Sequence, residues 1–311
     1  MVAFRVVCLG GSSTFGFYDR DAYTYPALLE TLLRGALPGW PIDVVNAGIP
    51  HSTSSNILAM LRGEILRYEP DVVTFYEAFN DAGVVMDENW IQATARWAHA
   101  HLATYVALKR VLEAVGGPVL HSRWATYLPR SHAEYVRRQI ELHVPRYEKN
   151  LRALVDAVRS AGAEPVLVRQ PMTTKHSQDH PHGSPDRLLT YEQEVEWIRG
   201  NLKEHGWVSS IEALMLVHRA LLDALDRVAA SQRVIVVDNV AIVDRHPEFF
   251  ASYVHLTEEA NSALAAGLTD VILPVARRKA TAPTSIRNAI GLPPPLMPLV
   301  SRARSSARLR L

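Results

Sequence analysis

The chain has 311 residues, a net charge of +1, 48% hydrophobic and 21% charged residues, the make-up of an ordinary globular protein with one large domain or two smaller ones. Disordered, collagen-like and coiled-coil chains are excluded, and no run approaches the roughly 18 apolar residues a membrane span needs. The +1 conceals an asymmetry. Residues 277–311 carry eight Lys and Arg and no acid, which leaves 25 Lys and Arg against 32 Asp and Glu in residues 1–276, a net of −7. Nucleic-acid binding needs a positive surface, so the acidic body argues against it. Cys8 is the single cysteine, which excludes an internal disulfide framework and a cysteine zinc site. Without a basic leader and cleavage site at its start, the chain is expected to be cytoplasmic.

In chain order, residues 4–9 form a short valine-rich strand, followed by an amphipathic helix over 25–33. A second strand over 42–46 precedes a helix over 54–68, with Ile57, Leu58, Leu61, Ile65 and Leu66 at helical spacing. The third strand covers 72–76. Residues 84–130 form an expected helical insert anchored by Trp90, Trp97 and Trp124, and a helix over 131–160 is expected to kink or split at Pro145. The fourth strand covers 166–169 and is followed by a polar excursion over 172–190. A helix over 208–230, a strand over 234–238 and a helix over 257–276 capped by Thr257 complete the body. Strands alternating with helices give right-handed crossovers and a doubly wound parallel α/β sheet. The expected organisation is one domain over 1–280 and a disordered tail over 281–311, rich in proline, arginine and serine.

The excursion at 172–190 holds His176, His180 and His182. A loop with Pro181 and Gly183 offers metal ligands little rigidity, so a solvated lid is expected there, with no metal. The tail's arginines suit a solvated terminus, and docking to an anionic surface or partner is the minority reading.

Ligands of open parallel sheets bind beyond the carboxyl ends of the strands. There the sequence places Gly10-Gly11-Ser12-Ser13-Thr14 after the first strand and Asn46-Ala47-Gly48 after the second. Glu77-Ala78-Phe79-Asn80-Asp81 follows the third, and Val254-His255-Leu256-Thr257 precedes the last helix. A serine hydroxyl needs an adjacent base, for which His255 suits Ser12. The oxyanion formed at an ester carbonyl needs fixed donors, which the Ser12 N–H, the Gly48 N–H and the Asn80 amide can supply, with Asp81 free to cap. The rival reading of residues 10–16 is a phosphate-cradling loop. It gives Asn80 and His255 no role, and a P-loop is excluded because no Gly-Lys-Ser/Thr follows.

These four blocks, with Ser, Gly, Asn and His in that order, resemble the SGNH (GDSL-type) hydrolases over roughly residues 4–276. The resemblance implies a flavodoxin-like three-layer α/β/α sandwich with a five-stranded parallel sheet. It implies a cofactor-free serine hydrolase acting on a small O-acyl group or short acyl ester. Ser12 and His255 would be catalytic, with Ser12, Gly48 and Asn80 in the oxyanion hole. Gly11 stands where the family usually has Asp, and Ala78 where it usually has Gly. Ser252 stands where the family usually has the Asp that orients the histidine. Three outcomes follow: a main-chain carbonyl from residues 250–253 orients His255, which is the expectation, with the hydroxyl of Ser252 itself as the rival histidine-orienting group; Glu248 or Asp244 reaches in; or activity is weak or lost. Acyl transfer at the same site and a non-catalytic binding protein are the alternative functions.

Overall fold

Valine-rich β1 (Phe4–Gly10) has both faces covered, as a central parallel strand requires. The protein, as a computed structural model, is described over residues 3–83 and 131–281. The expected insert at 84–130, with its three tryptophans, and the tail from 282 lie outside the described residues. After β1 come α1 (Ser12–Phe15), α2 (Tyr25–Ala36), β2 (Ile42–Gly48), α3 (Ser54–Gly63), β3 (Val72–Tyr76) and α4 (Phe79–Ala82). Then come β4 (Ser131–His132), α5 (Ala133–Ser160), β5 (Glu164–Val168), α6 (Tyr191–His205), β6 (Trp207–Val208) and α7 (Ser210–Gln232). β7 (Ile235–Val237), α8 (Asn239–Val243) and α9 (Glu258–Thr281) close the body.

The five main strands lie in the order β2-β1-β3-β5-β7, with all four pairings parallel. Alternation along β1 sorts its side chains between two cores. Phe4, Val6 and Cys8 pack with Tyr25, Leu29 and Leu33 of α2 and Leu264, Leu268 and Ile272 of α9. Val7 and Leu9 pack with Ile57 and Leu61 of α3, Leu151 and Leu154 of α5 and Leu221 and Leu225 of α7. The result is the expected three-layer sandwich, with all five expected strands and shifts of at most two residues at their ends. Leu9 is fully buried, so Leu9→Ala costs about 2–5 kcal/mol by the cavity it opens. Two-residue β4 and β6 pair antiparallel in a second, small sheet that the sequence pattern did not announce.

Three expectations need correction. Pro145 does not split α5, which runs through it unbroken. Proline removes a hydrogen bond to the carbonyl of Glu141, and that turn is exposed, so water can satisfy the carbonyl. The segment 172–190 is a loop that is solvated only in part, exposed at His176, Gly183 and residues 186–188 but anchored at its start. Thr173 and Thr174 are buried, and the Thr174 N–H and hydroxyl both donate to Glu194 Oε1 at 2.6 Å. His180 lies between Glu212 Oε1 and the Thr174 carbonyl, each 3.1 Å from a ring nitrogen. His182 Nε2 is 2.9 Å from the Trp207 carbonyl. Thr257 does not cap α9 through its side chain: its buried Oγ1 has no hydrogen-bond partner among the described residues.

Candidate active site

The sheet order turns back at β1, so the chain leaves β1 and β3 on opposite sides of a crevice, where ligands bind in such sheets. Register places Gly10 beside Gly48 of β2 on one side and Tyr76 of β3 on the other. Three of the four blocks therefore meet at one point because neighbouring strands end together. Gly48 has a steric reason. A Cβ there would lie 2.3 Å from Phe15 N and 2.7 Å from Thr14 C, main-chain atoms of α1 that cannot move aside.

The fourth block arrives on a closed loop. The N–H groups of Ala251 and Ser252 donate to the His255 carbonyl at 2.8 and 3.3 Å, and Thr257 N–H donates to the Phe249 carbonyl at 2.9 Å. Two bonds fasten this loop to the body: Thr173 N–H to the Tyr253 carbonyl at 2.9 Å, and Ser13 Oγ to the Val254 carbonyl at 3.3 Å. His255 Nε2 thereby stands 2.8 Å from Ser12 Oγ, within reach for proton transfer. Burial lowers the pKa of His255 from its ordinary value, which keeps the ring a neutral base at neutral pH.

The histidine is oriented by Ser252, not by the expected main-chain carbonyl. Ser252 Oγ lies 2.6 Å from His255 Nδ1, while the Tyr253 carbonyl is engaged by Thr173. For Nε2 to accept the Ser12 proton, Nδ1 must carry hydrogen and donate it to Ser252 Oγ. Neither displaced carboxylate reaches the ring. Glu248 Oε1 is 2.8 Å from His246 Nδ1, and Asp244 Oδ1 accepts the Tyr191 N–H at 2.7 Å.

The expected oxyanion donors gather here, but two of the three are engaged. Gly48 N–H donates to Asn46 Oδ1 at 3.0 Å. The Asn80 amide donates to the Ser52 carbonyl at 3.0 Å and to Glu77 Oε2 at 3.1 Å. Ser12 N–H lies in the first turn of α1, where main-chain donors have no intrahelical partner. Asp81 does not cap its own helix but caps across the fold: it accepts the Ser54 N–H and hydroxyl, both at 2.6 Å, at the start of α3.

Two residues that hold the site carried no signal in the sequence. Fully buried Gln170, just beyond β5, accepts from Ala78 N–H and Phe79 N–H at 2.7 and 2.8 Å and donates to Ser13 Oγ at 3.2 Å. It bolts the third block to the first. Buried Glu77 lies beneath Gly11 and Asn80.

The mouth is aromatic. Phe17 and Tyr18 are more than half exposed, with ring centroids 5.9 and 5.0 Å from His255. Exposed Ile49 and Tyr253 sit beside Gly48 and His255 in sequence, and exposed Phe15 ends α1, whose main chain packs against Gly48. The turn bearing Phe17 and Tyr18 is tied to α9 through Asn261 Nδ2 to Asp19 Oδ2 at 2.8 Å. Among the described residues no cluster of His, Cys, Asp and Glu could hold a metal ion, and no helix is long and apolar enough to cross a membrane.

Comparison with known proteins points the same way. The model of the GDSL-like lipase/acylhydrolase family matches residues 8–263. The lipase/acylhydrolase of Enterococcus faecalis superposes with a TM-score of 0.51 at 17% identity, covering 88% of this chain and 96% of that one. A catalytic mutant of Axe2, an acetylxylan esterase from Geobacillus stearothermophilus, superposes with a TM-score of 0.48 at 14% identity, covering 87% and 95%. At such identities the likeness is one of fold. No curated protein matches by sequence.

Proposed function

This chain belongs to the GDSL-like lipase/acylhydrolase family and is an ester hydrolase; from that premise we propose that it cleaves a small O-acyl group or short acyl ester through an acyl-enzyme on Ser12. His255 Nε2 takes the hydroxyl proton as Ser12 Oγ attacks the ester carbonyl. The tetrahedral intermediate collapses, and His255 returns the proton to the departing alcohol oxygen. Water then attacks the acyl-enzyme with His255 again as base, releasing the acid and Ser12. Ser252 Oγ holds the ring tautomer and supports the imidazolium through a neutral hydrogen bond.

The oxyanion falls to Ser12 N–H, Gly48 N–H and Asn80 Nδ2. To use them it must draw Gly48 from Asn46 Oδ1 and one Asn80 hydrogen from its present acceptor. Charge-assisted bonds to an oxyanion are about twice as strong as neutral ones, which favours the exchange. The acyl or alcohol group meets Phe17 and Tyr18 at the mouth.

The observation that carries this reading is the unbroken chain from Ser12 Oγ through both His255 nitrogens to Ser252 Oγ. It also favours an enzyme over a binding protein that has lost its third member. A serine-directed phosphonate tests it. Labelling and hydrolysis of an activated short-chain ester vanish together in Ser12→Ala, and equal labelling of Ser12→Ala and Ser13→Ala would refute the assignment.

A further inference from the structure

Glu77 follows β3 directly and is 1% exposed. Its Oε1 accepts the Asn80 N–H at 2.7 Å, and its Oε2 accepts from Asn80 Nδ2 at 3.1 Å. A Cβ built on Gly11 would stand 2.2 Å from Glu77 Oε2 and 2.7 Å from Asn80 Nδ2. The carboxyl group therefore occupies the space of the absent side chain next to the nucleophile, and a glycine at 11 is what admits it. We propose that Glu77 is a positioning residue of this active site: it aims the Asn80 amide, and it must be uncharged for that amide to serve the oxyanion. The proposal rests on the acyl-enzyme reading of Ser12.

The amide nitrogen of Asn80 has two hydrogens, and both are engaged, one by Ser52 and one by Glu77. An ionised Glu77 holds its hydrogen with a charge-assisted bond and so withholds it from the forming oxyanion. A neutral Glu77 holds it weakly, so the oxyanion wins it. The surroundings favour the neutral form. No ion pair of Glu77 exists among the described residues. Asp81, on α4, adds a like charge, and Arg146 on α5 acts on Asp81. The Tyr147 hydroxyl from α5 donates to the Glu77 main-chain carbonyl at 2.7 Å, not to the carboxyl group. Gln170 is neutral and bonds the neighbouring main chain. Burial, opposed by the Asn80 N–H and reinforced by Asp81, pushes the Glu77 pKa up to about 8.

Two groups then bound the working range. His255 must be neutral to act as base and Glu77 neutral to release Asn80, so kcat follows a bell whose alkaline side belongs to Glu77. The test is the ratio of kcat at about pH 9 to kcat at about pH 7, with 4-nitrophenyl acetate read at its isosbestic wavelength. Wild type is expected to fall about tenfold across that interval. Glu77→Gln, which cannot ionise, is expected to show a flat ratio. So is the residual activity of Asn80→Ala, because Glu77 acts through that amide, and this arm decides the matter if Glu77→Gln fails to fold. A wild-type ratio near one overturns the proposal, as does an alkaline fall that persists in either variant. Phosphonate labelling of Ser12 is measured in parallel. If labelling is lost only in Ser12→Ala while the ratios disagree, the Glu77 proposal fails and the acyl-enzyme reading stands. If labelling ignores Ser12, the reading itself fails.

Discussion

Ser252→Ala isolates the third member of the hydrogen-bonded chain. The substitution deletes the oxygen 2.6 Å from His255 Nδ1 and leaves the backbone loop with its own bonds, Ala251 N–H and Ser252 N–H to the His255 carbonyl. What is lost is one hydrogen bond to a ring that becomes cationic in the transition state, along with a long bond from the His255 main-chain N–H at 3.4 Å. Bonds to charged groups are worth about 1.5–3 kcal/mol. At about 1.4 kcal/mol per tenfold, kcat falls roughly 10- to 150-fold. Because the bond strengthens only as the proton arrives, kcat and kcat/KM fall together while KM holds. Ser252→Asp supplies a carboxylate at the same spacing. It raises the pKa of His255 from the value that burial has lowered, so the base is protonated at higher pH and the acidic limb of kcat/KM moves upward. The assay is kcat/KM for a short-chain ester from about pH 5 to 8, with both variants beside wild type. If Ser252→Ala changes kcat less than about twofold and Ser252→Asp leaves the acidic limb in place, the hydroxyl does not orient the ring and the reasoning is wrong.

Asn80→Ala is expected to lower kcat about 10²- to 10³-fold at neutral pH with little change in KM; a change in KM alone would make Asn80 a ground-state substrate contact. Phe17→Ala, at an exposed ring whose centroid lies 5.9 Å from that of His255, is expected to raise KM several-fold with kcat held, measured on an ester series of increasing chain length. His180 stands between two acceptors, so both ring nitrogens are best used by the imidazolium. Burial lowers its pKa, but the hydrogen bond and charge of Glu212 outweigh this and raise it. Its stabilisation is therefore full below the ordinary histidine range and is lost as pH rises through the raised value. In thermal melts the gap between wild type and His180→Gln is expected to narrow with rising pH. Truncation after Ala280 is expected to leave folding and short-ester hydrolysis intact, and a melting temperature lowered by more than about 5 °C would show the tail packing on the body.

The four blocks were legible because each is local. A strand ends, a Gly, Ser or Asn follows, and parallel register brings the ends together. The strands themselves were legible because burial on both faces writes continuous apolar runs such as residues 4–9. What was not legible depends on contacts distant in sequence. Gln170 reaches Ser13 across 157 positions, and Asp81 caps a helix that begins 27 residues earlier; no spacing encodes either. Helix α6 is absent from the sequence reading, which passes from the excursion ending at 190 to the helix at 208, although Thr190 and Gln193 form a capping box at its start. The buried part of that excursion is hidden in the sequence because its partners are distant. His180 looks solvated until Glu212, 32 residues on, is found against it. Ser252 reads in the sequence chiefly as the loss of an acid, and only the folded loop brings its hydroxyl within 2.6 Å of the ring.

The contrast between the floor and the mouth of this site sets where its chemistry can be diversified. Ser12, Ser13, Asn80 and the histidine loop share one bonded floor through Gln170 and Val254, so a change at any of these positions is transmitted to the others. Phe15, Phe17, Tyr18 and Ile49 are each about half exposed or more, and replacing such residues costs the fold little. A library confined to those four positions can retune substrate selection one side chain at a time while the nucleophile and its base keep their geometry. Variation of the same size in the floor would consume stability before it produced a new preference.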